Sequence, residues 1–173
     1  GDEGLAVQER FAAELDLDVP DVAWYAARDR FAELLDTIAE AASTLGKITK
    51  QVLLMNRPEV GELSESIGEG AIGSSTMPHK KNPVKSEGTV ALAKMLRAHA
   101  HLMQELMEGY DERDASTWKV EFAIVPEAFL YFARALQNTK EVMADLEVHP
   151  DGMTENLEHF GSLVTSEAIM MEL

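Results

Sequence analysis

Apolar side chains recur between residues 24 and 55 at a spacing that suits one long helix and little else. Trp24, Phe31, Ile38, Leu45 and Val52 stand seven apart, and Ala27, Leu34, Ala41, Ile48 and Met55 repeat the interval three positions later. Such an a/d series lies along one seam of a helix and packs lengthwise against others. A helix from Val22 to Asn56 would run roughly 50 Å at ~1.5 Å per residue. Pro58 stops it, because a proline ring breaks the hydrogen-bond ladder. That length is wasted in a small monomer and fits a bundle packed against other subunits. Gly46 interrupts the series at a cost of about 1 kcal/mol relative to alanine.

The remainder continues helix after helix. Val7–Leu15 reads as a short amphipathic helix ending in the polar turn Asp16–Asp21, which holds Pro20. Residues 59–86 make a long loop. Val90, Met95, Leu96, Leu102, Met103 and Leu106 mark a helix over Ser86–Glu108, broken by Gly109-Tyr110-Asp111. The polar stretch Glu112–Trp118 leads to a third long helix, Lys119–Leu146, with Ile124, Phe129, Phe132, Leu136, Met143 and Leu146 as its core side. Pro126 should start that helix or kink it. Beyond His149-Pro150, two shorter helical pieces cover Thr154–His159 and Ser162–Leu173. No stretch alternates as a strand would. The expected fold is all-α, a long-helix bundle.

Charge excludes several classes. Asp and Glu outnumber Lys and Arg 31 to 15, for a formal charge of −16. No basic stripe exists to neutralise phosphates, so nucleic acid is not an expected partner. The excess suits an ordinary acidic protein or one from a salt-rich cytoplasm, where screening weakens self-repulsion. With zero cysteines, disulfides and thiolate metal sites are ruled out. No histidine/carboxylate cluster has ligand spacing, so neither a metal nor another cofactor is expected. No apolar run reaches the ~18 residues of a membrane span, and no signal peptide is visible. A cytoplasmic protein without a membrane partner is the expectation.

The chemistry concentrates in Gly73-Ser74-Ser75-Thr76-Met77-Pro78-His79-Lys80-Lys81-Asn82-Pro83. Gly68, Gly70 and Gly73 give the backbone freedom ahead of the serines, while two prolines stiffen the far side. A serine hydroxyl becomes a usable base only where cations and N–H groups stabilise the alkoxide. Lys80 supplies such a charge or clamps a substrate carboxylate, and Asn82 offers two amide donors to the same kind of oxygen.

This stretch matches, without a gap, Gly-Ser-Ser-x-Met-Pro-x-Lys-x-Asn-Pro, and so resembles the signature loop of the fumarase/aspartase superfamily. The resemblance implies that Ser74 is the base that removes a proton beside a carboxylate, with Lys80 as the second catalytic residue. It makes Ser75, Thr76, Met77, His79, Asn82 and Glu87 substrate-binding positions, and the segment Glu112-Arg113-Asp114 adds Arg113 as a carboxylate clamp. It further implies a small carboxylate substrate and a homotetramer whose active sites combine loops from three subunits. Superfamily members are more than twice this length. The chain starts Gly1-Asp2-Glu3 without methionine and stops inside a helical pattern at Glu172-Leu173. We therefore expect residues 1–173 to be a fragment of the central helical domain, carrying the catalytic loop 59–86. The N- and C-terminal domains and the general-acid histidines would lie elsewhere, leaving the fragment alone inactive.

Two branches of the superfamily remain open. Met77-Pro78-His79-Lys80 is similar to both the 3-carboxy-cis,cis-muconate cycloisomerases and the adenylosuccinate lyases. Glu87 and Ser116 are similar to the latter. Trp118 favours the former, since adenylosuccinate lyases carry a phosphate-contacting serine there and an indole has one donor only. Trp24 ahead of Arg28-Asp29-Arg30 also resembles the cycloisomerases, although Tyr25 and Ala27 depart from their pattern. The preferred reading is a cycloisomerase, the alternative an adenylosuccinate lyase. The rival from another class is a helical scaffold without catalysis, against which Ser74, Lys80 and Asn82 argue.

Overall fold

Helix α2 (Asp29–Met55) turns small residues towards its neighbours, Ala32, Ala39, Ala42 and Gly46, interleaved with Leu35, Ile38 and Val52. The computed structural model describes residues 2–22, 25–66 and 82–172. Around α2 the order is α1 (Gly4–Glu14), β1 (Leu63–Ser64), α3 (Val84–Glu105) with a closing 3-10 turn Leu106–Glu108, α4 (Ala115–Ala144), β2 (Glu147–Val148), α5 (Pro150–Phe160), a 3-10 stretch Gly161–Thr165 and α6 (Ser166–Glu172). The expected all-α class is what the described residues form.

The core is the seam where α2, α3 and α4 meet. From α2 it takes Ala32, Leu35, Ile38, Ala39 and Ala42, from α3 Ala93, Leu96, Ala100 and Met103, and from α4 Ile124 and Ala128. Alanines let the helix axes approach closely. At Gly46 the approach is tightest, because a Cβ there would stand 3.0 Å from the Cβ of Ala93. The predicted seam is correct in period and displaced by about one residue in face. Ile38 and Val52 are buried, but Leu34 and Ile48 are exposed, as is Ala41. The same holds for Met95, Leu102, Phe129, Leu136 and Met143, which are exposed and not core.

Side-chain pairs fix the helix directions. Gln104 donates to Asp36 and Arg97 to Ser43, so α3 runs antiparallel to α2. Lys85 meets Glu141 and His99 meets Glu127, so α4 runs antiparallel to α3. The bundle thus has two ends. One joins the C-terminus of α2 to the start of α3 and the C-terminus of α4; the other holds the start of α2, the end of α3 and the start of α4.

Several boundaries differ from the predicted ones. α2 begins at Asp29, not Val22, because the Arg28 guanidinium Nη1 donates to the carbonyls of Tyr25 (2.9 Å) and Ala27 (3.2 Å). The Tyr25 carbonyl would otherwise accept the first helical N–H. α4 begins at Ala115, four residues early, since Asp114 accepts from the Ser116 N–H and caps it. Pro126 therefore sits inside α4 and does not start it. α3 begins at Val84, so the last residues of the predicted loop are helical. The two-residue strands β1 and β2 were not anticipated; they pair antiparallel, Leu63 with Val148 and Ser64 with Glu147. Among the described residues no helix is long and apolar enough to cross a membrane.

Candidate active site

The signature segment is rooted where α2, α3 and α4 end together. Pro83, at the N-cap of α3, offers no side-chain acceptor to the first helical N–H groups, which need partners from elsewhere. Glu65 supplies them from 20 and 21 positions earlier in the sequence. Its Oε1 accepts from the Lys85 N–H (2.9 Å), and its Oε2 from the Ser86 N–H (2.9 Å) and the Ser86 hydroxyl (2.6 Å). Glu65 is only 4% exposed and Ser86 fully buried. A carboxylate beside the positive end of a helix is also favoured by the helix dipole.

Neighbouring contacts tie one root to β2 and the residue after it, and the other to the end of α4. On the first root, the Ser64 hydroxyl donates to Glu147 Oε2 (2.7 Å), and His149 Nε2 lies 2.9 Å from the Ser64 hydroxyl oxygen. A hydroxyl has one hydrogen, so His149 donates there. On the second root, Lys85 Nζ lies 2.6 Å from Glu141 Oε2. That ammonium, followed by the Gln137 amide, holds the Glu141 carboxyl below the usual carboxylate range. The Asn138 amide donates to the Lys85 carbonyl (3.4 Å).

Of the predicted site residues, Ser74, Ser75, Thr76, Met77, His79 and Lys80 lie outside the described residues, as does Trp24. Asn82 stands just ahead of α3 and is half-buried, its carbonyl accepting from the Val84 N–H. Glu87 lies in the first turn of α3 and is exposed. Arg113 is exposed and follows the opposite end of α3. All 22 residues of α3 lie between Asn82 and Arg113, about 33 Å at ~1.5 Å per residue, and the helix beyond Glu87 (residues 88–105) still spans about 27 Å. One copy of the chain therefore brings Asn82 and Glu87 together and keeps Arg113 away.

The Arg113 end has its own order. Asp114 Oδ1 accepts from the Ser116 hydroxyl (2.5 Å) and Oδ2 from the Thr117 hydroxyl (2.9 Å). These two hydroxyls, Ser116 first, hold the Asp114 carboxyl below its ordinary value. Trp118 meets Tyr25 edge to face, ring centroids 5.2 Å apart. Arg28 and Glu121 form an ion pair in which both side chains are largely buried. Sequence reasoning missed Glu65, Ser86 and Lys85. The available signal was negative: α3 opens on proline with no local capping residue. Among the described residues no group of three or more His, Asp or Glu side chains could hold a metal ion.

Residues 5–98 match the family described as lyase. The chain belongs to the fumarase/aspartase superfamily. It is 36% identical over its whole length to the N-acetyl-S-(2-succino)cysteine lyase of Dickeya dadantii, covering 38% of that protein. It is 37% identical over its whole length to the 3-carboxy-cis,cis-muconate cycloisomerase of Bradyrhizobium diazoefficiens, again covering 38%. Among solved structures, the 3-carboxy-cis,cis-muconate lactonizing enzyme of Pseudomonas putida superposes with a TM-score of 0.89 at 30% identity, over 99% of this chain and 38% of that one. The superfamily relatives are thus more than twice as long as the chain.

Proposed function

We propose that the chain is the central helical part of a longer superfamily enzyme that transfers a proton next to a carboxylate and makes or breaks a bond on the adjacent carbon, as a 3-carboxy-cis,cis-muconate cycloisomerase does. The observation that carries this reading is the gap-free pattern of residues 73–83 in a chain of this superfamily. Ser74 is the base or proton donor. Lys80 and Asn82 stabilise the negative charge that spreads onto the substrate carboxylate. In elimination, Ser74 takes the proton, the carbanion forms, and the bond from the next carbon to its heteroatom breaks as an acid protonates the leaving atom. In cycloisomerisation towards the lactone, a substrate carboxylate oxygen adds to the double bond and the neighbouring carbanion receives its proton from Ser74. Ser75, Thr76, Met77, His79 and Glu87 bind substrate beside them.

Arg113 enters this scheme from another copy. The long separation of Arg113 from Asn82 and Glu87 favours an active site shared between subunits of a homotetramer, in a cytoplasmic setting. The exposed apolar residues Leu34, Ile48, Phe129, Leu136 and Met143 are the kind of surface that such assembly covers. Trp118 packed against Tyr25 supports the cycloisomerase reading over adenylosuccinate lyase, whose substrate needs a phosphate contact there.

A second reading has comparable similarity behind it: elimination from a succinylated thioether, with C–S bond cleavage, since the Dickeya dadantii relative is as similar as the cycloisomerase. The test compares 3-carboxy-cis,cis-muconate, N-acetyl-S-(2-succino)cysteine and adenylosuccinate side by side on the full-length protein and its Ser74→Ala variant. The first substrate should turn over fastest, and the variant should lose at least about a thousandfold in kcat with its stability unchanged. A Ser74→Ala variant as active as the parent sinks the assignment, and full-length protein inert towards all three leaves the scaffold.

A further inference from the structure

We infer that Glu65 is a positioning residue for the reaction: its buried carboxylate ties the chain entering the signature segment to the first turn of α3, and so sets where Asn82 and Glu87 stand relative to that entry. The inference rests on the reading that the signature segment and Glu87 act on substrate. Its own basis lies in the described residues alone. Glu65 stands immediately before the segment's first root ends, and Lys85 and Ser86 open the helix at its second. Three hydrogen bonds of 2.6–2.9 Å link them across 20 and 21 positions of sequence.

The arrangement fixes more than a helix end. The residue before Glu65, Ser64, is held by β2 and by Glu147 and His149. Lys85 is held from α4 by Glu141 and Asn138. The first root is thus anchored to β2 and the residue after it, the second to the end of α4, and Glu65 bonds the two roots directly. An ordinary N-cap residue would satisfy the same N–H groups from the adjacent position in sequence. Using a remote, buried carboxylate instead couples α3's first turn to the register of the chain entering the segment. A shift of about 1 Å in a catalytic group costs on the order of a hundredfold in rate, so this bond bears on kcat more than on substrate affinity.

Glu65→Gln and Ser86→Ala separate the possibilities in the full-length protein. The amide keeps one acceptor oxygen but turns an N–H₂ towards a donor, whereas Ser86→Ala removes one hydroxyl and leaves both backbone bonds. Glu65→Gln should lower kcat about 30- to 100-fold with KM changed less than about threefold. Ser86→Ala should lower kcat about five- to tenfold, and the double variant should fall no further than Glu65→Gln, because both act through one contact. Val142→Ala, a buried change in α4 away from the roots, serves as the control: matched in melting temperature, it should keep kcat within about twofold. Ser74→Ala is run in parallel. If Ser74→Ala is inactive while Glu65→Gln keeps parental kcat, the positioning role is overturned and the base assignment stands. An active Ser74→Ala overturns both. If Glu65→Gln does not fold, Ser86→Ala decides: a kcat within twofold of the parent refutes the proposal.

Discussion

Arg28 and Glu121 pair Nε to Oε2 at 2.5 Å, linking the turn ahead of α2 to the second turn of α4. The same guanidinium holds the carbonyls of Tyr25 and Ala27, so this one side chain stops α2 from extending backwards and docks it on α4. Desolvating both charges offsets much of their attraction, but removing one partner leaves the other buried alone. Glu121→Ala should therefore destabilise the protein by about 3 kcal/mol, whereas the double change Arg28→Met, Glu121→Leu should stay within about 1 kcal/mol of the parent. Urea unfolding of the three proteins measures both. Equal losses in the single and double variants would mean that the loss does not come from leaving the Arg28 charge buried alone.

At Gly46 the local preference of the helix and its packing oppose each other. Alanine would gain about 1 kcal/mol in helix propensity. Its Cβ would meet Ala93 Cβ at 3.0 Å, and Ala93 is backbone-anchored in a buried seam with nowhere to turn. Overpacking of this kind costs about 1–3 kcal/mol, so Gly46→Ala should be net destabilising by about 1 kcal/mol. Adding Ala93→Gly should recover part of the loss, with a favourable coupling of about 1 kcal/mol in the double-mutant cycle. A stabilising Gly46→Ala would show that the two helices can separate slightly at no cost.

These positions explain what the sequence made legible. The period of α2 was readable because leucine and isoleucine advertise it, but the face was not. Ala32, Ala39, Ala42 and Gly46 pack closest because they are small, and a hydrophobicity pattern ranks them below Leu34 and Ile48, which face outwards. The signature segment was readable as a family pattern because its information is local, one uninterrupted run at 73–83. Its supports were not, since Glu65 reaches Ser86 across 21 positions and Ser64 reaches His149 across 85. Nor does spacing along a chain show that Arg113 and Glu87 occupy opposite ends of the bundle; helix direction decides that.

Acid should loosen the start of α4 in a defined window. The Ser116 and Thr117 hydroxyls lower the Asp114 carboxyl below its ordinary 3.8 in the folded protein. A depressed folded value means that the unfolded chain binds the proton first. The contribution to stability is complete above about pH 4 and is lost as the pH falls through the lower folded value. Asp114→Asn should remove that part of the acid dependence and lower the melting temperature at pH 7 only modestly. Amide exchange at Ser116 followed between pH 5 and pH 2, in parent and variant, gives the comparison. An identical acid profile in the two proteins would rule out the cap as its source.

The separation of Arg113 from Asn82 and Glu87 leads to the most direct test of a shared active site. If, as proposed, Ser74 and Arg113 serve one substrate from different copies, each of two inactive variants still holds the part the other lacks. Full-length Ser74→Ala and Arg113→Ala should each be nearly inactive. Unfolded together in equal amounts and refolded, they should assemble mixed oligomers. A site then works when its Ser74 comes from an Arg113→Ala copy and its Arg113 from a Ser74→Ala copy, which random mixing gives at about a quarter of the sites. Activity should thus return to about a quarter of the parent's, with KM unchanged because the rebuilt sites are intact. The double variant refolded with parent in place of one single variant fixes the dilution expected without complementation. A mixture of the two single variants that stays inactive, while parent refolded the same way recovers, would place both residues in the site from one copy or remove Arg113 from it, and the helix directions argue for the latter.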